Sequence, residues 1–568
     1  MIAHCRTRCR RPPTGAFLVF GLLLFASLAV AGPPPNPPTQ AVASAHPLAT
    51  QAGLDVLDAG GNAFDAAVAV SAALAVVEPY SSGIGGGGFW LLHRASDGKQ
   101  VMVDGRERAP LAAHRDMYLD KQGSVVSGLS MDGALAAGIP GEPAALVHLA
   151  EHYGRLPLAK TLAAAIRLAG EGFEVDEYYR SMVRFRLKVM QRYPSTAQIF
   201  LHKGEVPPAG SVIRQPELAT TLRAIASEGS RGFYAGEVAA KLVAGVRKAG
   251  GIWTLEDLQQ YKVVERDPVR FRYRGFQVVA AAPPSSGGVA LATMLHILEA
   301  WDLAQLDVAD RVHLVTEAMR RAYRDRAQYM GDPDFVDMPL QRLVDPVYAA
   351  GLRASIRTDR ATPSAALPGS VNIVEGPDTT HFSILDREGN RVAATLSINY
   401  PFGSGLVIPG TGVLLNDEMD DFSAKPGVPN AYGLVGAEAN AIAPGKRPLS
   451  SMTPTFVESD TGVAILGTPG GSRIITMVLL AILDLEAGNP PQSWVSVPRF
   501  HHQYLPDVIQ YEPDAFPQPV IKSLKAKGHQ LKPLKRRYGN MQAIYWDYKD
   551  NRVEAASDPR GIGRASVR

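Results

Sequence analysis

The 568-residue chain carries 58 basic and 55 acidic residues and is 46% hydrophobic, ordinary content for a globular protein and long for one domain. Its near-neutral balance gives no reason to expect nucleic acid as a partner, and two cysteines in all exclude a disulfide-built scaffold.

The first residues read as an export signal. Arg6, Arg8, Arg10 and Arg11 form a basic start, Ala16 to Ala31 an uncharged apolar run, and Ala29-Val30-Ala31 an A-x-A cleavage site. The run is shorter than the roughly 20 residues that span a bilayer, and the proline-rich stretch Pro33 to Pro38 follows it rather than a basic stop. Cleavage after Ala31 would deliver the mature chain to the periplasm or out of the cell; a retained N-terminal anchor is the alternative. Cys5 and Cys9 both lie in the signal, so the mature chain has neither a disulfide nor a thiol nucleophile. Removing the signal leaves 54 basic against 55 acidic residues, a formal charge of −1 on 537 residues.

From Ala49 to Val77, small and apolar residues recur at helical spacing, with Gly60-Gly61-Asn62 breaking the pattern, which predicts two packed helices. Gly83-Ile84-Gly85-Gly86-Gly87-Gly88 matches G-x-G-x-x-G formally. No strand leads into it after Pro79-Tyr80-Ser81-Ser82, so a tight turn is expected, not a dinucleotide site. A short strand is expected at Lys99 to Val103, and helices at Glu142 to Tyr153, Leu158 to Glu171, Glu217 to Glu228 and Gly288 to Met330. The first two-thirds is thus helix-rich.

After a polar stretch from Ser364 to Asp378 the texture changes. From Thr379, His-Phe-Ser-Ile-Leu, the turn Asp386 to Asn390 and the alternating run Arg391 to Asn399 read as strand, turn, strand. A second such pair joins Pro454 to Val457 with Val463 to Leu466, and a helix follows at Ile474 to Glu486. A domain break and a strand start are expected to coincide at Thr379, opening a layered domain of strands covered by helices. His501-His502, being adjacent, cannot present like an i, i+4 metal pair and are expected to be packing residues. No G-x-S-x-G elbow occurs, which disfavours a serine α/β-hydrolase.

Asp378-Thr379-Thr380-His381-Phe382-Ser383, followed by strands, resembles the γ-glutamyltranspeptidases of the N-terminal-nucleophile hydrolase superfamily. The resemblance extends over nearly all of the mature chain. It includes Gly60-Gly61-Asn62-Ala63, Gly83 to Phe89, Arg106-Glu107 with Ala109-Pro110, and Pro283-Pro284-Ser285-Ser286-Gly287-Gly288. It continues through Asn416 to Phe422, Lys446 to Met452 and Thr468-Pro469-Gly470-Gly471-Ser472-Arg473. It implies an α+β fold, a four-layer αββα sandwich formed jointly by two chains after autocleavage between Asp378 and Thr379. Residues 1–31 would be signal, 32–378 the helix-rich large chain and 379–568 the small catalytic chain, the two staying associated as a heterodimer.

The chemistry can be argued beside the resemblance. A threonine hydroxyl is a weak nucleophile at neutral pH unless a base adjoins it, and a chain-terminal threonine carries its own α-amine, of unperturbed pKa near 8. The resemblance implies that Ser397, where the family usually has threonine, supports Thr379 by hydrogen bonding, and that Gly470 and Gly471 form the oxyanion hole. It implies that Arg106 binds the donor's α-carboxylate, and that Glu418 and Asp421 receive its α-ammonium. Asn399, Ser450 and Ser451 would complete the hydrogen bonding. Pro426 to Gly433 resembles a lid, closed by Tyr432. The expected activity is γ-glutamyl transfer and glutathione hydrolysis, with water, amino acids or dipeptides as acceptors and no metal or organic cofactor. A cephalosporin (glutaryl) acylase of the same fold is the enzyme alternative, and an exported, non-catalytic amino-acid-binding protein is the alternative from another class.

Overall fold

Pro47 and Asn62 set the first two helices, α1 (Pro47–Asp58) and α2 (Ala63–Val77). The Asn62 side chain accepts from the amides of Phe64 and Asp65, and the Asp65 carboxylate accepts in return from the Asn62 amide, a reciprocal cap. Every residue of α2 is buried, which suits a helix apolar on all sides. The computed structural model describes residues 36–367, 379–425 and 436–568. The expected signal, Asp378 and the expected lid with Tyr432 lie outside the described residues.

Two antiparallel sheets follow. In chain order their strands are β1 (Ala41–Ser44), β2 (Gly87–Arg94), β3 (Lys99–Gly105), β4 (Val264–Arg266), β5 (Val269–Tyr273), β6 (Phe276–Ala280), β7 (Thr380–Leu385), β8 (Arg391–Ser397), β9 (Thr455–Ser459), β10 (Gly462–Gly467), β11 (Gln542–Asp547), β12 (Arg552–Ser557) and β13 (Arg564–Val567). The first sheet runs β13-β1-β7-β8-β2-β3-β4 and the second β12-β11-β10-β9-β6-β5. Helices α1 and α2 cover the outer face of the first sheet, where Val42, Trp90, Phe382, Ile384, Val392 and Leu396 join one apolar core. The sheets meet at Ala43, Phe89, Leu91, Leu385 and Ala393 on one side and Phe456, Val463, Ile465 and Ile544 on the other. Three helices, α3 (Gly287–Leu298), α4 (Val308–Tyr329) and α5 (Ile474–Glu486), join that second core from beyond the second sheet. The result is the expected αββα stack of two helix layers around two sheets.

The glycine run behaves as expected: it turns at Gly83 to Gly86 and then enters β2, with no helix after it. A Cβ on Gly85 would lie 2.0 Å from the Leu414 carbonyl oxygen and one on Gly86 2.2 Å from that of Ser397, so these glycines serve close backbone packing. The single helix expected from Gly288 to Met330 is two, because Asp307 caps a fresh start through the Asp310 amide at 2.8 Å. Residues 36–568 form one compact unit, and both sheets contain strands from before residue 368 and strands from after residue 378. The change of texture is therefore not a border between separately packed bodies, as the sequence pattern suggested. Among the described residues, no helix is long and apolar enough to cross a membrane.

Candidate active site

Alternation along β7 decides where its first residues point. Phe382 and Ile384 join the core beneath α2, so Thr380 faces that way too, and its hydroxyl donates to the buried Glu78 carboxylate at 2.7 Å. The odd-numbered residues face the second sheet: the Ser383 hydroxyl meets the carbonyls of Ile465 and Gln542, and His381 bonds Thr395 at 2.8 Å. Thr379 continues that series and opens on the seam between the sheets. Thr380 pairs with Leu396, which sets Thr379 opposite Ser397 on the neighbouring strand.

Ser397 ends β8. Its hydroxyl oxygen accepts the Asn399 amide at 2.8 Å, and Asn399 turns into the left-handed region at φ 72°, which asparagine tolerates better than most residues. The expected strand through Asn399 therefore stops two residues early. Both side chains still reach one cavity, by a turn rather than by strand alternation. The Asn399 side-chain Nδ2 donates to the Asp417 backbone carbonyl at 3.0 Å, which ties this turn to the acidic segment.

Arg106 follows β3 and is 1% exposed. Its guanidinium pairs with Glu418 at 2.5 Å and with Asp421, lies 3.5 Å from Glu107, and donates to the Pro448 carbonyl at 3.3 Å. Burial works against the Arg106 charge, but the Glu418, Asp421 and Glu107 carboxylates outweigh it and hold the guanidinium above its ordinary range. The acids shift upward too. Burial dominates at Glu418, pushed up to about 8, because one guanidinium is shared and Asp421 repels. Glu107 is raised as well, through burial and the adjacent Glu418.

Two loops meet at the other wall. Ser450 accepts the Ser286 amide at 2.9 Å and donates its own amide to Pro284 at 2.8 Å, so two of the motifs singled out in the sequence brace each other. After β10, Gly467 passes so close to His381 that a Cβ would lie 2.3 Å from the ring. The chain then reaches Gly470 and Gly471, at φ 137° and 56°, and a turn at Gly471–Arg473 runs into α5. The leading amides of such a helix start have no partner within the helix.

One cavity is lined by Arg106, Thr379, Ser397, Asn399, Glu418, Asp421, Ser450, Ser451 and Gly471, nine of the residues singled out in the sequence. Gly470 adjoins it in the chain. Met452, Ser472 and Ile474 also line it, and nothing in their residue types marked them. His501 and His502 are both buried and bond Thr476, Gln503 and Asp507, the expected packing role. Elsewhere His313, Glu317 and His529 bring possible ligand atoms within 4.8 Å of one another. The two rings share a hydrogen bond of 2.7 Å, and Glu317 is engaged by Arg321, which accounts for the group as a polar relay.

The family model for γ-glutamyltranspeptidase matches residues 49–568. The chain is 46% identical over 495 residues to a glutathione hydrolase proenzyme of Pseudomonas sp. strain A14, covering 86% of each. It is 43% identical over 527 residues to a glutathione hydrolase proenzyme of Escherichia coli K12, covering 92% of this chain and 90% of the other. Its fold is similar to the crystal structure of a cephalosporin acylase from Bacillus halodurans, with a TM-score of 0.81 and 29% identity, covering 96% of this chain and 99% of that one.

Proposed function

This chain belongs to the γ-glutamyltranspeptidase family, and from that premise we propose how its cavity works as that of a γ-glutamyltransferase and glutathione hydrolase. The observation that carries the reading is the meeting of Thr379, a cation and two carboxylates in one cavity at the end of the seam between the sheets. A γ-glutamyl group presents an α-carboxylate and an α-ammonium at one end and the amide carbonyl at the other. Arg106 matches the first, Glu418 and Asp421 the second, and Thr379 reaches the third.

The precursor breaks between Asp378 and Thr379, giving a large chain of residues 32–378, once the export signal 1–31 is removed, and a small chain of 379–568. The new α-amine takes the proton of the Thr379 hydroxyl as the oxygen attacks the γ-carbonyl. The backbone amides at Gly470 and Gly471 receive the oxyanion, and the amine of the leaving group departs with a proton. The γ-glutamyl ester on Thr379 then passes to water or to the amine of an amino acid or dipeptide. Ser397 holds the turn that faces Thr379, and Asn399, Ser450 and Ser451 bind the donor's end groups.

Relatives of this fold also include a cephalosporin acylase. A glutaryl donor has no ammonium, and two buried carboxylates would then face an apolar methylene, at a desolvation cost with no return. Glu418 and Asp421 therefore favour the γ-glutamyl reading. The test is mass analysis of purified protein with hydrolysis of a γ-glutamyl anilide by wild type and Thr379→Ala. Wild type should give two fragments meeting at Asp378 and Thr379, and the variant neither fragments nor turnover. An intact chain that still hydrolyses the anilide would overturn the mechanism.

A further inference from the structure

Arg326, near the C-terminal end of α4, is 4% exposed, and among the described residues no carboxylate lies within ion-pair distance of it. Its Nε donates to the Ser286 hydroxyl at 2.9 Å and its Nη2 to the Ser451 hydroxyl at 3.2 Å. Ser286 in turn donates to the Ser450 carbonyl at 2.8 Å. A buried guanidinium held only by neutral hydroxyls is a cation without its counter-ion.

The charges around the cavity identify that counter-ion. Arg106 already faces Glu418 and Asp421, two acids on one cation. Asp421 also supports the charge on Arg326 from a distance, while Arg106 opposes it. Counting Arg326 places two cations and two acids, Glu418 and Asp421, around the cavity, a set with a partner for each end of a zwitterionic amino-acid group. Hydrogen-bond polarity points the same way. A serine hydroxyl has one proton. Ser451 accepts from Arg326 and lines the cavity, so its own proton is left for an acceptor there.

We infer that Arg326 is a positioning residue for donor recognition, directing the Ser451 hydroxyl onto the donor's α-carboxylate and supplying the second positive charge behind it. The inference rests on the γ-glutamyl reading above. Arg326 need not touch the donor, since its field acts through one polarised hydroxyl in a buried wall. Lysine keeps the charge but cannot reach Ser286 and Ser451 together from one planar fork.

The experiment compares a γ-glutamyl anilide with the same anilide whose α-carboxylate is a carboxamide. For each enzyme the ratio of kcat/KM for the two donors is measured. In wild type the carboxylate donor should win by at least tenfold. In Arg326→Gln that preference should fall at least tenfold, through KM, with the carboxamide donor within about threefold of its wild-type value; Arg326→Lys should fall between. Arg326→Lys and Ser451→Ala are also combined, because a relay through one hydroxyl makes the double variant no worse than the worse single. Should Arg326→Gln fail to mature, this cycle decides alone. A preserved preference in Arg326→Gln, or multiplying losses in the double variant, overturns the inference. A wild type that treats both donors alike overturns the γ-glutamyl reading instead.

Discussion

The Thr380 hydroxyl donates to the Glu78 carboxylate across 2.7 Å, joining the residue after the proposed nucleophile to the end of α2. Glu78 is 1% exposed, and burial raises its pKa to about 7 against the bonds from Thr380 and Tyr80. The raised value means that the neutral form suits the fold. Its contribution is fully present below the unfolded value of 4.5 and is lost as pH rises to about 7, at most about 3 kcal/mol. Glu78→Gln keeps an acceptor for Thr380 and does not ionise. Thermal melts at pH 5 and pH 8 should show a larger drop for wild type than for the variant; equal drops would refute the assignment.

Donor binding should itself depend on pH through Glu418. The donor's ammonium needs an ionised carboxylate, and burial keeps Glu418 protonated up to about pH 8. The KM for a γ-glutamyl anilide should therefore fall as pH rises from about 6 to 8. In Glu418→Gln, KM should be higher at pH 8 and flatter over this window.

Ser397 differs from the threonine usual in the family, yet its hydroxyl still accepts the Asn399 amide. Ser397→Ala strands that buried amide, at about 1–3 kcal/mol, and should lower kcat/KM about 10- to 100-fold. Ser397→Thr keeps the acceptor and should stay within a few fold of wild type, with less rotational freedom at the hydroxyl. Steady-state kinetics on the matured variants separates the two.

Gly467→Ala puts a methyl carbon 2.3 Å from the ring of His381, which is fully buried between two sheets, so the ring or the strand must shift. The expected outcome is a loss of about 1–3 kcal/mol and slowed self-cleavage, read by melting temperature and by the fraction of intact chain.

Much of this was legible in the sequence where local pattern and tertiary role agree. The helix Ile474–Glu486 has the boundaries its pattern predicts, because an apolar run between glycines leaves few other choices. The alternating run after Arg391 revealed β8 but not its end, since the Ser397 hydroxyl, not periodicity, stops it. Apolar spacing likewise carried one expected helix across the gap between α3 and α4, where the Asp307 cap restarts the chain. Arg106 and Asp421 were found through motifs. Arg326 was not: in Arg324-Asp325-Arg326 it reads as a solvated helix face, and its partners Ser286 and Ser451 lie 40 and 125 positions away.

The strand order of the first sheet sets a sequence of events. β7 lies between β1 and β8, and the other edge of β1 pairs with β13, which ends at Val567. A nascent chain must therefore be made at least to Val567 before the sheet that holds Thr379 is whole, and a cut that depends on the complete sheet waits for β13. Dilution of the cut protein then finds no seam to open, because each product supplies strands that lie between strands of the other.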